Sequence, residues 1–417
     1  MIIYKFGGAS VGNAEGVKNL VEILSRFQEA GIVVLSAFGK TTNHLERLTA
    51  CLFSQDLPGF SFSLGQIRDY HFHLLEDLFP GDHPVYDVAE SIFAELEESF
   101  SAGWKDYDFI YDQVVSRGEI LSTQIVSAYI NSCGISCRYE DIRQHLITDR
   151  VFREANIDWS ATRLAVSENL RPGGREVLLT QGFIGGTSDG WSTTLGREGS
   201  DYTAAILANL FDAEQLIIWK DVPGVLNADP RYFQDPEKLE RISYQEAIEL
   251  AYYGAKILHP KTIKPLQNKG IPMQVKSFLE PEKEGTLIGE YERYDGEKPI
   301  FIVKEDQVLI SILPRDFSFV VEEQLSKIYG IFARYRAQIN IMQNSALSFT
   351  VCVNDDYIRI PRLIEELKSE YRVLYNRGLQ LITVRHYNEH VLAQIQKGRN
   401  VLIEQRSRHT AQFLMES

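Results

Sequence analysis

The chain has 417 residues, 44% of them hydrophobic, with 43 basic against 57 acidic side chains for a formal charge of −14. This length favours two domains, the apolar content supports a large core, and the acidic balance argues against nucleic acid or an anionic membrane as partner. A small anionic substrate stays open, because salt screens a distant acidic surface and leaves a local basic pocket dominant.

No apolar run reaches transmembrane length, and Met1-Ile2-Ile3-Tyr4-Lys5-Phe6 reads as a strand rather than a signal peptide. Cys51, Cys133, Cys137 and Cys352 lack C-x-x-C or zinc spacing and read as free thiols of a reducing compartment. A cytoplasmic protein is expected.

The strand at 2–6 ends in Gly7-Gly8-Ala9-Ser10. The spacing of Val17, Leu20, Val21 and Leu24 predicts a helix over 14–30, and 32–35 is a second buried strand ending in the polar run from Ser36 to Asn43. Short, wholly apolar strands in a βαβ unit indicate a parallel sheet covered on both faces. Residues 44–105 are expected to form a helical insertion or lid.

A strand is predicted at 111–115, turning at Ser116-Arg117-Gly118-Glu119 into a helix over 120–132. Another strand at 177–179 runs into a loop with Gly182, Gly185 and Gly186; a helix follows over 202–211. The strand at 215–219 leads into Lys220-Asp221-Val222-Pro223-Gly224, and Ser243-Tyr244-Gln245-Glu246 opens a helix with a capping-box pattern. Polar and Gly-rich turns thus recur at strand ends, where an open α/β sheet binds its ligands.

A boundary is expected in 281–299, rich in Glu, Lys, Gly and Pro. Beyond it, strands at 308–313, 339–342, 347–353 and 379–385 and helices at 320–336 and 362–371 make a βαββαβ, ferredoxin-like unit. A strand pair at 390–395 and 400–405 is expected in the remainder.

Thr193-Thr194-Leu195-Gly196-Arg197-Glu198-Gly199-Ser200-Asp201 places a cation, two glycines, a hydroxyl and a carboxylate before an Ala-rich helix. Arg197 can grip a carboxylate with two parallel hydrogen bonds, and the glycines allow close backbone approach. Ser200 or Asp201 can cap the helix, or Asp201 can receive an ammonium group. At the end of the first strand, Gly7 and Gly8 can cradle phosphate oxygens beside the point charge of Lys5. Glu119 can bind an amine or cap a helix. Lys256 can reach a transferred phosphoryl group or stand in solvent, and His259 before Pro260 reads as structural.

Lys5-Phe6-Gly7-Gly8-Ala9-Ser10-Val11, Val115-Ser116-Arg117-Gly118-Glu119, Thr194 through Tyr202, Asp221-Val222-Pro223-Gly224 with Ala228-Asp229-Pro230-Arg231, and Gly254 through Pro260 together resemble the successive signatures of the aspartate kinase family. The resemblance implies an amino-acid-kinase αβα sandwich with a mostly parallel sheet over residues 1–290, and a C-terminal α+β ferredoxin-like (ACT) domain over 300–417. Most of the family carries two ACT units; about 30 residues remain after the βαββαβ unit here, so a truncated second unit is expected. It implies phosphorylation of the β-carboxylate of L-aspartate by ATP, opening the route to lysine, threonine and methionine, with Mg²⁺ bridging ATP oxygens and no protein metal ligand named.

On the family's pattern Lys5 and Lys256 steady the transferring phosphate, Arg197 binds the substrate α-carboxylate and Glu119 its ammonium. Ser36, Thr42, Phe183, Ser200 and Asp201 complete the pocket, Asp201 with a catalytic role. Gly7, Gly8, Lys220, Asp221 and Arg231 hold the nucleotide. Ala9, Lys220 and Leu226 stand where the family has Thr, Thr and Tyr, which implies slower turnover and altered nucleotide affinity. A homodimer or higher homo-oligomer through the ACT-like part is expected. A glutamate-type amino-acid kinase and a weakly active ACT-based sensor are the alternatives.

Overall fold

The computed structural model describes residues 1–26, 31–170, 173–174, 176–255, 259–291, 298–316 and 319–416. Two compact units divide the chain. The first comprises Met1–Val225, Lys238–Ile248 and Leu258–Glu292, and the second Leu226–Glu237, Glu249–Ile257 and Arg293–Ser417.

The first elements in chain order are β1 (Ile2–Phe6), α1 (Ala14–Ser25), β2 (Gly31–Leu35), α2 (Thr41–Phe53), α3 (Leu57–Leu78), α4 (Val85–Ser99), α5 (Tyr107–Ser132), β3 (Cys137–Glu140) and β4 (Ile147–Thr148). Next come α6 (Trp159–Asn169), β5 (Val177–Gln181), β6 (Ile184–Thr187), β7 (Ser192–Thr194), α7 (Gly199–Leu210), β8 (Gln215–Lys220) and β9 (Arg241–Ser243). α8 (Tyr244–Tyr253), α9 (Pro260–Gln267), β10 (Met273–Ser277) and β11 (Thr286–Gly289) follow.

The main sheet has the order β3-β5-β2-β1-β8-β10-β11-β9. Its first six strands run parallel, and β11 turns antiparallel to β10. β2 is buried at all five positions, and β1 and β8 nearly so, as strands covered on both faces must be. β1 pairs with β2 and β8 in a register that sets Lys5 beside Val34 and Ile218, so the loops after these three strands emerge together. Residues 44–105 are helical, in α2, α3 and α4. A small separate sheet has the order β4-β6-β7.

Two sequence expectations need correction. The strand predicted at 111–115, with its turn at Ser116-Arg117-Gly118-Glu119, is the interior of α5, a 26-residue helix capped by the Asp106 carboxylate, which accepts the Phe109 N–H at 2.7 Å. The run Ile110 to Ser116 is buried without a break, Asp112 and Gln113 included, and a short run buried on every side fits a helix as well as a strand. Gly118 marks a close helix crossing: a Cβ there would lie 2.7 Å from Leu45 Cδ1 and 3.1 Å from Thr41 Cγ2 of α2.

The second correction lies in the second unit, built from β12 (Ile300–Pro314), α10 (Glu322–Arg334), β13 (Ile339–Asn344), β14 (Phe349–Asn354), α11 (Arg359–Glu370), β15 (Tyr371–Arg385), α12 (Glu389–Gln396), β16 (Val401–Arg406) and β17 (Thr410–Glu416). The segment 390–395, read as a strand, is part of α12, whose first turn is capped by Asn388 through the Val391 N–H.

The strands of this unit form one antiparallel sheet, β13-β14-β12-β15-β17-β16. Period-two alternation sends Val308, Ile310 and Ile312 of β12 into a core under α10 and α11, while Leu309 faces the opposite side. β12 and β15 are each 15 residues long, and their pairing shifts register between Lys304 and Gln307. The later part of β12 completes the βαββαβ path. The earlier part, Ile300 to Lys304, pairs with Leu381 to Arg385 beside β17 and β16, where α12 covers Ile382, Val384, Phe413 and Met415.

Gly118→Val should overpack the α5–α2 crossing and lower stability by about 1–3 kcal/mol. Urea unfolding with unchanged far-UV circular dichroism in native buffer would register it.

Candidate active site

The loops after β1, β2 and β8 and the first turn of α7 bring the polar groups together. Lys5, 6% exposed, sets its Nζ 2.7 Å from Oδ1 of Asp201, itself 2% exposed. Lys220, at the end of β8, sets its Nζ 3.1 Å from the other Asp201 oxygen and 3.8 Å from Glu198 Oε2. One buried carboxylate is thus held between two ammonium groups. Burial opposes its charge, but Lys220 and Lys5 outweigh that penalty and hold the carboxyl at about 2. The same cluster raises the Lys220 ammonium against its own desolvation.

Neither Ser200 nor Asp201 is the N-cap of α7. That position falls to Glu198, in the left-handed region at φ 54°, and the helix starts at Gly199. Asp201 lies in the first turn and spends both oxygens on lysines, which displaces both the cap and the ammonium-receiving roles read from the sequence.

Glu119 behaves oppositely. It is 3% exposed on α5, and burial pushes its carboxyl up to about 8, against the Ala37 backbone N–H and the Lys5 charge. Its Oε2 has no hydrogen-bond partner among the described residues, and neither do the buried hydroxyls of Ser10 and Thr41. Buried polar atoms ordinarily find partners. These three, from the β1 loop, the start of α2 and α5, are unmet demands that a polar ligand would satisfy.

Backbone contacts draw the loops tight. A Cβ at Gly8 would lie 2.3 Å from the Ala37 carbonyl, and one at Gly7 3.6 Å from Lys5 Nζ. The Gly39 N–H donates to Gly8 O at 2.9 Å, and the Ser36 N–H to Phe6 O at 3.2 Å. Thr42 is half-buried in the first turn of α2. Phe183 adopts φ 71°, a strained conformation for a non-glycine residue, with its N–H on Thr203 Oγ1 and its carbonyl accepting the Leu195 N–H. A Cβ at Gly199 would meet the Phe183 ring at 2.7 Å, and one at Gly182 would meet Ser200 at 2.4 Å. The Gly182–Phe183 turn therefore rests on the start of α7.

Arg197 is exposed between Gly196 and Glu198. His259 caps α9 through the Lys261 N–H, which accounts for it structurally; burial, with the charges of Lys261 and Arg197, lowers its pKa. Asp221 is exposed just past β8. Arg231 belongs to the second unit, where it pairs with Asp229. Lys256 lies outside the described residues. No cluster of His, Cys, Asp and Glu among the described residues could hold a metal ion.

Sequence reading missed Asp112 and Gln113. Both are buried on α5, and both bond to β7. The seven-residue spacing from Asp112 to Glu119, two helical turns, was the available signal, and the strand assigned to 111–115 concealed it.

The folded state holds a proton on Glu119 more tightly than the unfolded chain, whose carboxyl keeps its ordinary value of 4.5. Its contribution to stability is complete below that pH and is lost as pH rises towards about 8. Glu119→Gln should therefore be more stable than the parent in urea at pH 8, with the difference closing near pH 5.

Residues 1–277 match the model of the Amino acid kinase family. Lysine-sensitive aspartokinase 3 of Escherichia coli is 30% identical over 399 residues, covering 92% of this chain and 86% of that protein. Chloroplastic aspartokinase 1 of Arabidopsis thaliana is 29% identical over 424 residues, covering 96% and 73%. The solved structure of E. coli aspartokinase III in complex with aspartate and ADP, in its R-state, superposes with a TM-score of 0.84 at 27% identity, covering 100% of this chain and 96% of that one. The chain belongs to the amino acid kinase family and, within it, to the aspartokinases.

Proposed function

We propose that the protein transfers the terminal phosphoryl group of ATP to the β-carboxylate of L-aspartate, giving 4-phospho-L-aspartate and ADP, the step that opens the route to lysine, threonine and methionine. The observation that carries this reading is the Lys5–Asp201–Lys220 cluster at the carboxyl edge of a parallel sheet, beside a buried Glu119 with an unmet oxygen. The aspartate and ADP bound by the E. coli relative support it.

The nucleophile needs no general base, because a β-carboxylate is ionised at neutral pH. Its oxygen bonds to the terminal phosphorus as the bond to the bridging oxygen breaks, and ADP leaves with the electron pair. Catalysis is then positioning and charge neutralisation. Lys5 and Lys220 bring two ammonium groups to this edge, held in place by Asp201 and, at Lys220, by Glu198, and both can face a phosphate. In this reading Lys5 steadies the transferring group, a task that the family pattern also gives to Lys256. Gly7 and Gly8 line the phosphates, and Lys220 and Asp221 hold the nucleotide.

Glu119 takes the substrate ammonium, Arg197 its α-carboxylate, and Ser36, Thr42, Phe183 and Ser200 the rest of the pocket. Mg²⁺ brought in with the triphosphate would supply further charge neutralisation, and no cluster of His, Cys, Asp and Glu among the described residues would hold it as a resident ion.

Catalysis is assigned to the first unit, and regulation or dimerisation to the second. Tyr329 and Met342, exposed and in mutual contact beside the edge strand β13, support a homo-oligomer through that unit. No described helix is long and apolar enough to cross a membrane, and all four cysteines are free, which supports a cytoplasmic setting.

Purified protein with MgATP and L-aspartate should yield an acyl phosphate that hydroxylamine traps. Trapping with glutamate instead would make the protein a different amino-acid kinase, and binding without product would make it a sensor. Arg197→Ala should raise the aspartate KM roughly tenfold or more while the ATP KM stays within about twofold. Parallel changes in both constants would contradict the assignment.

A further inference from the structure

β7 is an edge strand of the three-stranded sheet, hydrogen-bonded to β6 on one side. Its other side has no neighbouring strand among the described residues. Side chains of α5 take that place. Gln113 donates to the Ser192 carbonyl at 2.9 Å and accepts the Ser192 N–H at 3.2 Å. Asp112 accepts the Thr194 N–H at 2.9 Å and the Thr194 hydroxyl at 2.7 Å. The same Asp112 oxygen that takes the Thr194 N–H also takes the Arg153 N–H at 3.0 Å.

Arg153 is itself fixed, with φ 70°, its guanidinium 4.5 Å from the Tyr111 ring and an ion pair to Asp108. The Ala155 N–H closes the arrangement on the Thr194 carbonyl at 3.0 Å. Three residues beyond Thr194 stands Arg197. The intervening Gly196 runs so close to this support that a Cβ there would lie 3.3 Å from Glu154 Cγ and 3.4 Å from the Arg153 carbonyl.

Gln113 shows that a neutral amide can satisfy this strand edge. Asp112 does so with a carboxylate that is fully buried, and burial pushes it up to about 7 despite its three hydrogen bonds. Its ionised form therefore costs stability, and what it provides in return is stronger, charge-assisted hydrogen bonds to Thr194 and Arg153. Asp112 also lies two helical turns before Glu119 on the same face of α5, about 10 Å along the helix axis.

We propose that Asp112 is a positioning residue that ties the Gly196–Arg197 loop to α5 and so sets the distance between Arg197 and Glu119. This deepens, and rests on, the substrate roles given to those two residues above. A single rigid helix then holds both grips on the substrate, one through a side chain of its own and one through an anchored loop.

Steady-state kinetics of Asp112→Ala, Asp112→Asn, Thr194→Val and Arg197→Ala, run below the lowest melting temperature, test it. Asp112→Ala should raise the aspartate KM roughly tenfold with the ATP KM within about twofold. Asp112→Asn, which keeps the shape and can still accept both N–H groups, should fall between Asp112→Ala and the parent. Thr194→Val loses only the hydroxyl contact and should raise the aspartate KM severalfold, so it carries the test, with Asp112→Asn, if the alanine variant does not fold.

An aspartate KM at the parent value in the Asp112 and Thr194 variants, with Arg197→Ala impaired, overturns the positioning role alone. So does a parallel rise in both KM values. An unchanged aspartate KM in Arg197→Ala removes the substrate reading itself, and the proposal with it.

Discussion

The site depends on one buried carboxylate shared by two ammonium groups. Asp201 enters from the first turn of α7, Lys5 from the end of β1 and Lys220 from the end of β8. Each would be unfavourable in that interior alone, since an unpaired buried charge shifts its pKa or stays in water. Together they remain ionised, and they tie the helix to two adjacent strands at the edge where their loops emerge. Glu119, equally buried but without a directly bonded cation, goes the other way and retains its proton near neutral pH. The site therefore sets two fixed ammonium groups, suited to phosphate, near one buried carboxyl with an unmet oxygen, suited to an ammonium group once it gives up its proton.

α5 supplies the second half of this organisation. Its close crossing with α2 at Gly118 sets Glu119 beside the β2 loop, and its side chains Asp112 and Gln113 hold the strand that leads to Arg197. A long buried helix is stiffer than a set of loops. It can keep ligand groups from distant parts of the chain at a fixed separation.

Much of this was legible in the sequence, for local reasons. Lys5, Gly7, Gly8, Ser36 and Arg197 to Asp201 sit at junctions between strands, turns and helices, and such junctions have a readable grammar of short apolar runs, glycines and polar residues. The misread parts are those whose outcome depends on distant partners. Ile110 to Val115 carries no period that separates a buried helix from a buried strand, so Glu119 was set at a turn and Asp112 was hidden inside an apparent strand. The segment 390–395 lies on α12, whose Leu392 and Ile395 pack against Ile382, Val384 and Phe413 of distant strands.

The pairing of Ile300 to Lys304 with Leu381 to Arg385, around an entire βαββαβ path, spans about eighty residues of separation and leaves no local mark. Lys220 departs from the family pattern. Its bond to Asp201 arises because β8 neighbours β1, and that adjacency is set by the sheet rather than by the sequence around Lys220.

The most direct test of this account is a crystal structure of the protein with L-aspartate and a non-transferable ATP analogue. The account predicts the terminal phosphate within hydrogen-bonding reach of Lys5 or Lys220, and the aspartate ammonium on the Glu119 carboxylate. Ligands seated away from the loops after β1 and β8, with the Lys5–Asp201–Lys220 cluster untouched, would contradict it.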